Sequence, residues 1–314
     1  MHLQYGFYFP EYKQNVLKGA VLKRGASVYF SLGNASRTIF EGGLTQDKNH
    51  IDFNGSTVLP EMVITNSPFV NNGTGEFRFS WTKLAVRAKN NLFKNAKLGK
   101  GCALSVETDD AFADGTSFGT VNVNASTPDG ERPKILLNGH DIRISALGHC
   151  TDRFAKIATD IPAKVVLSGS LSLTNNFEIS GPVGLVQSGS GRFAFWAEHE
   201  STNVLAAAES GTVEILEGGG WAGPLELSEE GRAVLAHAGA LSSPACEIRV
   251  SGDGWSLELP EGETVKARRL VKDGRFLPGG LYGPVGSGAK YELANITGGF
   301  LKVRGPVGMS IVVR

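Results

Sequence analysis

The chain has 314 residues, 41 % of them hydrophobic, enough to bury a continuous core in one large or two ordinary domains. Thirty-one Lys and Arg residues balance thirty-one Asp and Glu residues, so no overall field recruits nucleic acid or an anionic membrane. No apolar run reaches the roughly 18 residues of a membrane-spanning helix, and Met1-His2-Leu3-Gln4-Tyr5 lacks the basic and apolar regions of a signal peptide.

Glycine is the outlier. The 41 glycines are nearly twice the usual frequency of about 7 %, while the 13 prolines are ordinary. With ample Val, Leu, Ile and Phe, this composition predicts many tight turns between many short strands. The three cysteines, Cys102, Cys150 and Cys246, are far apart and form no Cys-x-x-Cys pair, so they read as small buried apolar residues.

Taken in chain order, the predicted elements are short bursts of period-two alternation, each with one apolar face. The first is Phe77-Arg78-Phe79-Ser80-Trp81. It runs into the basic segment 83–100, whose Lys83, Arg87, Lys89, Lys94, Lys97 and Lys100 are expected to form a solvated face. Further bursts follow at 121–123, 142–144, 171–173, 193–195, 213–215, 225–227, 255–259 and 301–303. Asn54-Gly55, Asn72-Gly73, Asp114-Gly115, Asn138-Gly139, Asp253-Gly254 and Asp273-Gly274 supply turn residues that tolerate positive φ. Helical periodicity is confined to 203–209, too short to stand alone, and 229–238, which Gly231 interrupts. Without helices, βαβ crossovers cannot join parallel strands, which leaves a sandwich, barrel, propeller or solenoid.

Self-similarity favours the solenoid. Lys134-Ile135-Leu136-Leu137-Asn138-Gly139 and Lys164-Val165-Val166-Leu167-Ser168-Gly169 are one pattern about 30 residues apart. At roughly 20–30 residues per coil the chain makes about ten to fourteen coils. The charge-rich segment 261–275 and the turn Gly279-Gly280-Leu281-Tyr282-Gly283-Pro284 are predicted to cap the last sheet edge. The expected organisation is a single domain over 1–314: N-terminal coils to about 130, repeat-like coils over 131–258, and C-terminal coils with a cap over 259–314.

Gly184-Leu185-Val186-Gln187-Ser188-Gly189-Ser190-Gly191-Arg192-Phe193-Ala194-Phe195, followed by Gly211-Thr212-Val213-Glu214-Ile215-Leu216, resembles the autotransporter-associated β-strand repeat. The pattern departs at Gln187, where the repeat has a basic residue. The stretch 255–282 and the strand Gly299-Phe300-Leu301-Lys302-Val303 are similar to the C-terminal ends of large secreted bacterial proteins that carry these repeats. The resemblance implies a right-handed, single-stranded parallel β-helix, pectate-lyase-like or autotransporter-passenger-like, exported and surface-exposed. An outer-membrane barrel is not expected, since no set of ten-residue alternating strands follows residue 260.

Candidate chemistry is sparse. Asp109, Asp110 and Asp114 cluster beside Gly115 and are candidate binding residues that could hold calcium, though Asp-Gly is also an ordinary turn. A lyase or hydrolase on this fold could use Asp109, Asp110, Asp141 or Asp152 with Arg143, Arg153 or Lys156 on neighbouring coils. His140, His149 and Cys150 match no zinc spacing. The segment 283–290 looks like a phosphate loop, but its Lys290 comes late, Tyr291 takes the hydroxyl position and no helix follows. No cofactor or metal is expected. Trp81, Trp196, Trp221 and Trp255 read first as core and turn packing and could form a sugar-stacking surface if several faced outward; the glycine-flanked Trp221 is the one expected to be exposed and is a candidate binding residue. The functional expectation is a non-enzymatic extracellular solenoid, a stalk or adhesion module contacting polysaccharide or cell-surface glycan. The alternative is a polysaccharide lyase or glycoside hydrolase on the same fold.

Overall fold

The computed structural model describes residues 5–8, 14–18, 20–21, 27–32, 37–46, 48–56, 59–71, 73–120, 123, 126–147, 156–175 and 177–304. It is all-β, with parallel sheets stacked as a β-solenoid of about ten turns. Among the described residues the one helix is a single 3₁₀ turn, Asp129–Glu131, and none is long and apolar enough to cross a membrane. The chain divides into two compact units, Met1–Val183 and Gly184–Arg314.

In the first unit each coil contributes strands to successive faces. One sheet runs through Val28–Ser31, His50–Asn54, Glu76–Ser80, Ala96–Leu98 and Ser117–Thr120, every neighbour parallel and in register. A second runs through Arg37–Phe40, Glu61–Ile64, Lys83–Val86, Ala103–Val106, Lys134–Leu136 and Lys156–Ala158. A third face carries Leu44–Gln46 and Phe69–Asn71. The in-register residues Val28, Ile51, Phe77, Ala96 and Phe118 lie about 19–26 residues apart, the length of one coil.

Alternation decides which side chains meet inside. Phe30, Phe53 and Phe79 occupy the same register position on three consecutive coils and are buried. Their rings stack with centroids 5.0 and 5.1 Å apart, tilted by only 10° and 9°. An edge-on contact from Phe40 to Phe53 and a tilted one from Phe93 to Phe79 tie this stack to the neighbouring faces. Each such pair adds about 0.5–1.5 kcal/mol beyond area burial, so no coil is stable without its neighbours.

Buried polar groups occupy the corners. Asn91 is fully buried: its Nδ2 donates to Ala88 O and Ala111 O at 2.7 and 2.8 Å, and its Oδ1 accepts from Phe69 N at 2.8 Å. One carboxamide therefore bonds to backbone on three coils, which satisfies groups that a corner would otherwise strand.

In the second unit one sheet runs through Val183–Gln187, Leu205–Ala207, Leu225–Ser228, Glu247–Ser251 and Arg269–Lys272. Another runs through Arg192–Phe195, Thr212–Ile215, Arg232–Leu235 and Ser256–Glu258. Both weakly helical segments are strands here, Leu205–Ala207 and Arg232–Leu235. Pairing between coils outweighs their modest helix propensity. The end of this unit carries the antiparallel pairings found among the described residues. Arg269–Lys272 folds back on Arg275–Phe276, and Gly280–Gly283 on Phe300–Val303. Asp273 and Gly274, at φ 49 and 76°, make the predicted turn of the first hairpin. These reversals interrupt the parallel stack, and Gly280–Gly283 pairs onward in parallel with Tyr291–Glu292.

Most predicted strands are present, including Glu76–Ser80, Ile142–Ile144, Arg192–Phe195, Thr212–Ile215 and Ser256–Glu258. The strand expected at 121–123 and the turn at Asn72 fall largely outside the described residues. The two similar segments near 134 and 164 do not stack on each other. Lys134 pairs with Lys156, whereas Val165 pairs with Ile142 in a different sheet. The apparent period of about 30 therefore joins strands on different faces; the true coil is shorter.

Candidate functional site

The outward residues of three strands form a grid. On Val28–Ser31, His50–Asn54 and Glu76–Ser80 the apolar positions point in and the polar ones out. The register sets Tyr29, Asp52 and Arg78 in one row across the strands. Ser31, Asn54 and Ser80 form the next row, and His50 stands beside Glu76. Parallel strands are about 4.8 Å apart, so each row brings unlike side chains within reach across three coils.

Over this grid lies a cavity of about 420 Å³, lined by Tyr29, His50, Asp52, Asn54, Arg78 and Ser80, with Trp81 and Lys100 at one side. His50 Nε2 is 3.2 Å from Asp52 Oδ2. Burial pushes the Asp52 carboxyl above its ordinary value, against the lowering effect of His50 and Arg78. Arg78 donates through Nε to Glu76 Oε2 at 2.8 Å, and Asn95 Nδ2 donates to Glu76 Oε1 at 2.9 Å. Lys100 Nζ stands 3.9 Å from Glu131 Oε2.

Trp81 sits at a tight corner beside the cavity. Its φ is 52°, a left-handed backbone costing on the order of 1–3 kcal/mol for a bulky residue. Its N–H donates to Lys100 O at 2.7 Å. Glycines on the adjacent coils make room: a Cβ at Gly101 would stand 2.3 Å from Trp81 Cε3, and one at Gly55 1.9 Å from Trp81 O. Left-handed backbone also occurs at Leu59, Glu209 and Glu229, and glycine against a carbonyl of the adjacent coil recurs at Gly181 and Gly223, so both are features of tight corners in this stack.

The predicted site residues lie elsewhere. Asp109, Asp110 and Asp114 are exposed, and each turns to a different side chain on a neighbouring coil. Asp109 Oδ1 is 2.8 Å from His140 Nδ1, Asp110 Oδ2 is 3.4 Å from Lys89 Nζ, and Asp114 Oδ1 is 3.4 Å from Arg143 Nε. Among the described residues no group of three His, Cys, Asp or Glu side chains is placed to hold a metal ion. Asp141 Oδ1 accepts the backbone N–H of Lys164 at 2.7 Å, and Lys156 pairs with Glu178 at 2.6 Å. Asp152, Arg153, His149 and Cys150 lie outside the described residues.

Trp221 corrects an expectation: it is fully buried. Its Nε1 donates to Asn203 O at 3.1 Å, and its ring packs against Phe195 and against His199 at 5.8 Å. The flanking glycines create room at a crowded corner; they do not expose the ring. Trp255 is also buried, while Trp196 is 37 % exposed. The phosphate-loop-like segment holds its own anion. Gly286 N and Gly288 N donate to Glu292 Oε2 and Oε1 at 3.0 and 2.8 Å, which holds that carboxyl below its usual range. Cys102 and Cys246 are buried, and burial pushes both thiols up to about 12. The basic side chains of 83–100 are exposed or half-buried and spread over two sheets, with Arg87 paired to Glu107 at 2.6 Å and Lys89 to Asp110.

Sequence reasoning missed Tyr29, His50, Asp52 and Asn54. The signal was present as Val28-Tyr29-Phe30-Ser31, Ile51-Asp52-Phe53-Asn54 and Phe77-Arg78-Phe79-Ser80. These are three copies of an apolar–variable–Phe–small polar pattern, one coil apart. The variable position is the site row.

The fold makes this chain a β-solenoid of the β-helix repeat kind. No family model, no curated protein and no solved structure matches it.

Proposed function

We propose that the chain is a non-enzymatic solenoid from an exported, cell-surface protein, a stalk or adhesion module that contacts glycans. The resemblance of 184–216 to the autotransporter-associated repeat supports export and a passenger-like role. The observation that carries the glycan reading is the Tyr29–Asp52–Arg78 row with Trp81 at its side. This is a concave polar surface that carries two aromatic side chains, Tyr29 and Trp81. Sugars are held by such combinations of planar hydrogen-bonding groups and an aromatic face.

One observation favours a second reading, a polysaccharide lyase or glycoside hydrolase. Asp52 is a shielded carboxyl with a raised pKa beside His50, the environment of a group that holds a proton for transfer.

The test is to pass the purified chain over a panel of immobilised acidic and neutral polysaccharides, measuring both retention and release of new chain ends. Retention without release supports the adhesion module. Release that disappears in Asp52→Asn replaces it with the enzyme. Neither retention nor release on a broad panel removes the glycan from the proposal. Export is tested apart: the intact parent protein confined to the cytosolic fraction would refute it.

A further inference from the structure

We infer that the outward face of the strands Thr264–Ala267 and Phe300–Val303 docks on the phosphate headgroups of an anionic lipid bilayer, through Lys266, Arg268, Lys302 and Arg304 with the apolar tip Val285 beside them. This face belongs to the second unit and the polar cavity to the first, so the glycan reading stands or falls without it.

The charge geometry carries the inference. Alternation buries Val265, Ala267, Leu301 and Val303 and leaves the four cations between and after them exposed. The parallel register sets Lys266 directly beside Lys302. Arg304 N donates to Ala267 O at 3.1 Å, which carries the register on and brings Arg304 beside Arg268. With strands about 4.8 Å apart, two pairs of like charges face each other, an arrangement that destabilises a sheet. Among the described residues none of the four has a carboxylate partner. By contrast Arg192, Arg232, Arg249, Arg269 and Lys272 in the same unit each meet a Glu or Asp. Two carboxylates border the face, and both are turned to backbone N–H groups. Glu263 accepts from Ala238 at 2.9 Å, and Glu292 accepts from Gly286 and Gly288.

Edge protection does not account for this grid. Thr264–Ala267 is the open edge of its sheet, where a charge discourages pairing with another chain. Phe300–Val303 lies between two strands, so Lys302 guards no edge. Repulsion kept across two adjacent strands is relieved when an anion sits over both.

The partner follows from shape and from one apolar residue. Cations on neighbouring strands of one sheet share a plane, which suits a surface of headgroups. A Cβ at Gly283 would meet Phe300 Cδ1 at 2.9 Å and Ala289 Cβ at 3.0 Å, so the segment 284–290 packs against the same side as Phe300. Its Val285 is 69 % exposed, the most of any large apolar side chain among the described residues. An apolar tip beside cations matches an interface that offers acyl chains beneath phosphates; a nucleic acid offers the tip nothing to enter. The chain's charges cancel overall, so the attraction is local and short-ranged.

The experiment is co-sedimentation of the full chain with phosphatidylcholine vesicles, plain or carrying about a third phosphatidylglycerol, at low and high salt. Lys266→Gln/Lys302→Gln and Arg268→Gln/Arg304→Gln each remove one like-charge pair, and Val285→Ser removes the apolar tip. Lys89→Gln/Lys94→Gln is the control, taking the same charge from exposed positions in the first unit. Thermal melts check the fold. The expected result is binding to the anionic vesicles alone, lost at high salt. Each cation at such a surface is worth about fivefold in affinity, so either face pair weakens binding about 25-fold, and neither lowers the melting temperature, since a repulsion is removed. Val285→Ser weakens binding about threefold, and the control stays within about twofold of the parent. Equal binding to both kinds of vesicle, or binding to neither, overturns the inference. So does anionic binding that both face pairs leave intact, or a loss as large in the control. A short DNA duplex that binds through Lys266 and Lys302 while vesicles do not would replace the bilayer with nucleic acid.

Discussion

The side-chain oxygen of Asn91 accepts the backbone N–H of Phe69 at 2.8 Å, one coil earlier in the stack. The same carboxamide donates to Ala111 O, one coil later. Asn91→Leu keeps the volume and removes every polar contact of the side chain. Phe69 N–H and Ala88 C=O then lose this partner in the dry interior. The expected loss is about 3 kcal/mol, read as a lower urea midpoint with an unchanged slope. A loss under about 0.5 kcal/mol would show that the corner relaxes to satisfy itself.

His199 makes stability depend on pH. It is buried against Phe195 and Trp221, and burial lowers its pKa from 6.5 to about 4. Between those values the unfolded chain binds the proton and the folded chain does not. Stability is therefore complete above about pH 6.5 and declines as pH falls towards 4, by roughly 3 kcal/mol in all. Urea unfolding followed by tryptophan fluorescence at several pH values should show this slope, and His199→Gln should flatten it. A variant with an undiminished slope would assign the dependence to other groups.

Asp52 is predicted to cost stability at neutral pH. Its folded pKa is raised above 3.8, mainly by burial, so the ionised form is the disfavoured one. In the window above 3.8 the folded state binds more protons than the unfolded state, and stability falls as pH rises through it. Asp52→Asn should raise the melting temperature at pH 7 and lose that advantage below about pH 3.8. A variant less stable than the parent at pH 7 would mean that the contacts to His50 and Arg78 outweigh burial.

The aspartate group is expected to be indifferent to calcium. Asp109, Asp110 and Asp114 point to His140, Lys89 and Arg143 on neighbouring coils, all in exposed pairs. Such pairs contribute about 0–1 kcal/mol each. Single Asp→Asn changes should shift stability by less than that, and millimolar calcium should leave the melting temperature unchanged. A calcium-dependent rise abolished by any one of these changes would establish a site there.

The fold class was legible because it is written in local chemistry. Alternation in bursts such as Phe77-Arg78-Phe79, glycine-rich turns and a lack of helical runs leave few ways to bury the apolar faces. Leu205–Ala207 reads equally well as part of a helix, and only its pairing with Leu185–Gln187 and Leu225–Leu227 makes it a strand. Trp221 looked exposed because glycines flank it, yet flanking residues do not say whether a corner is open or filled.

The sequence by itself determined the period-two faces, the turns and hence a stack of short strands. Only the tertiary structure decided which coil sits on which, and so which outward residues are neighbours. Tyr29, Asp52 and Arg78 are separated by about a coil each along the chain and adjacent across the sheet. Asp109 and Asp110 are adjacent along the chain and turn to His140 and Lys89 on different coils. Side-chain direction within a strand follows from a period of two, whereas contact between coils depends on register, which variable coil lengths keep out of the local sequence.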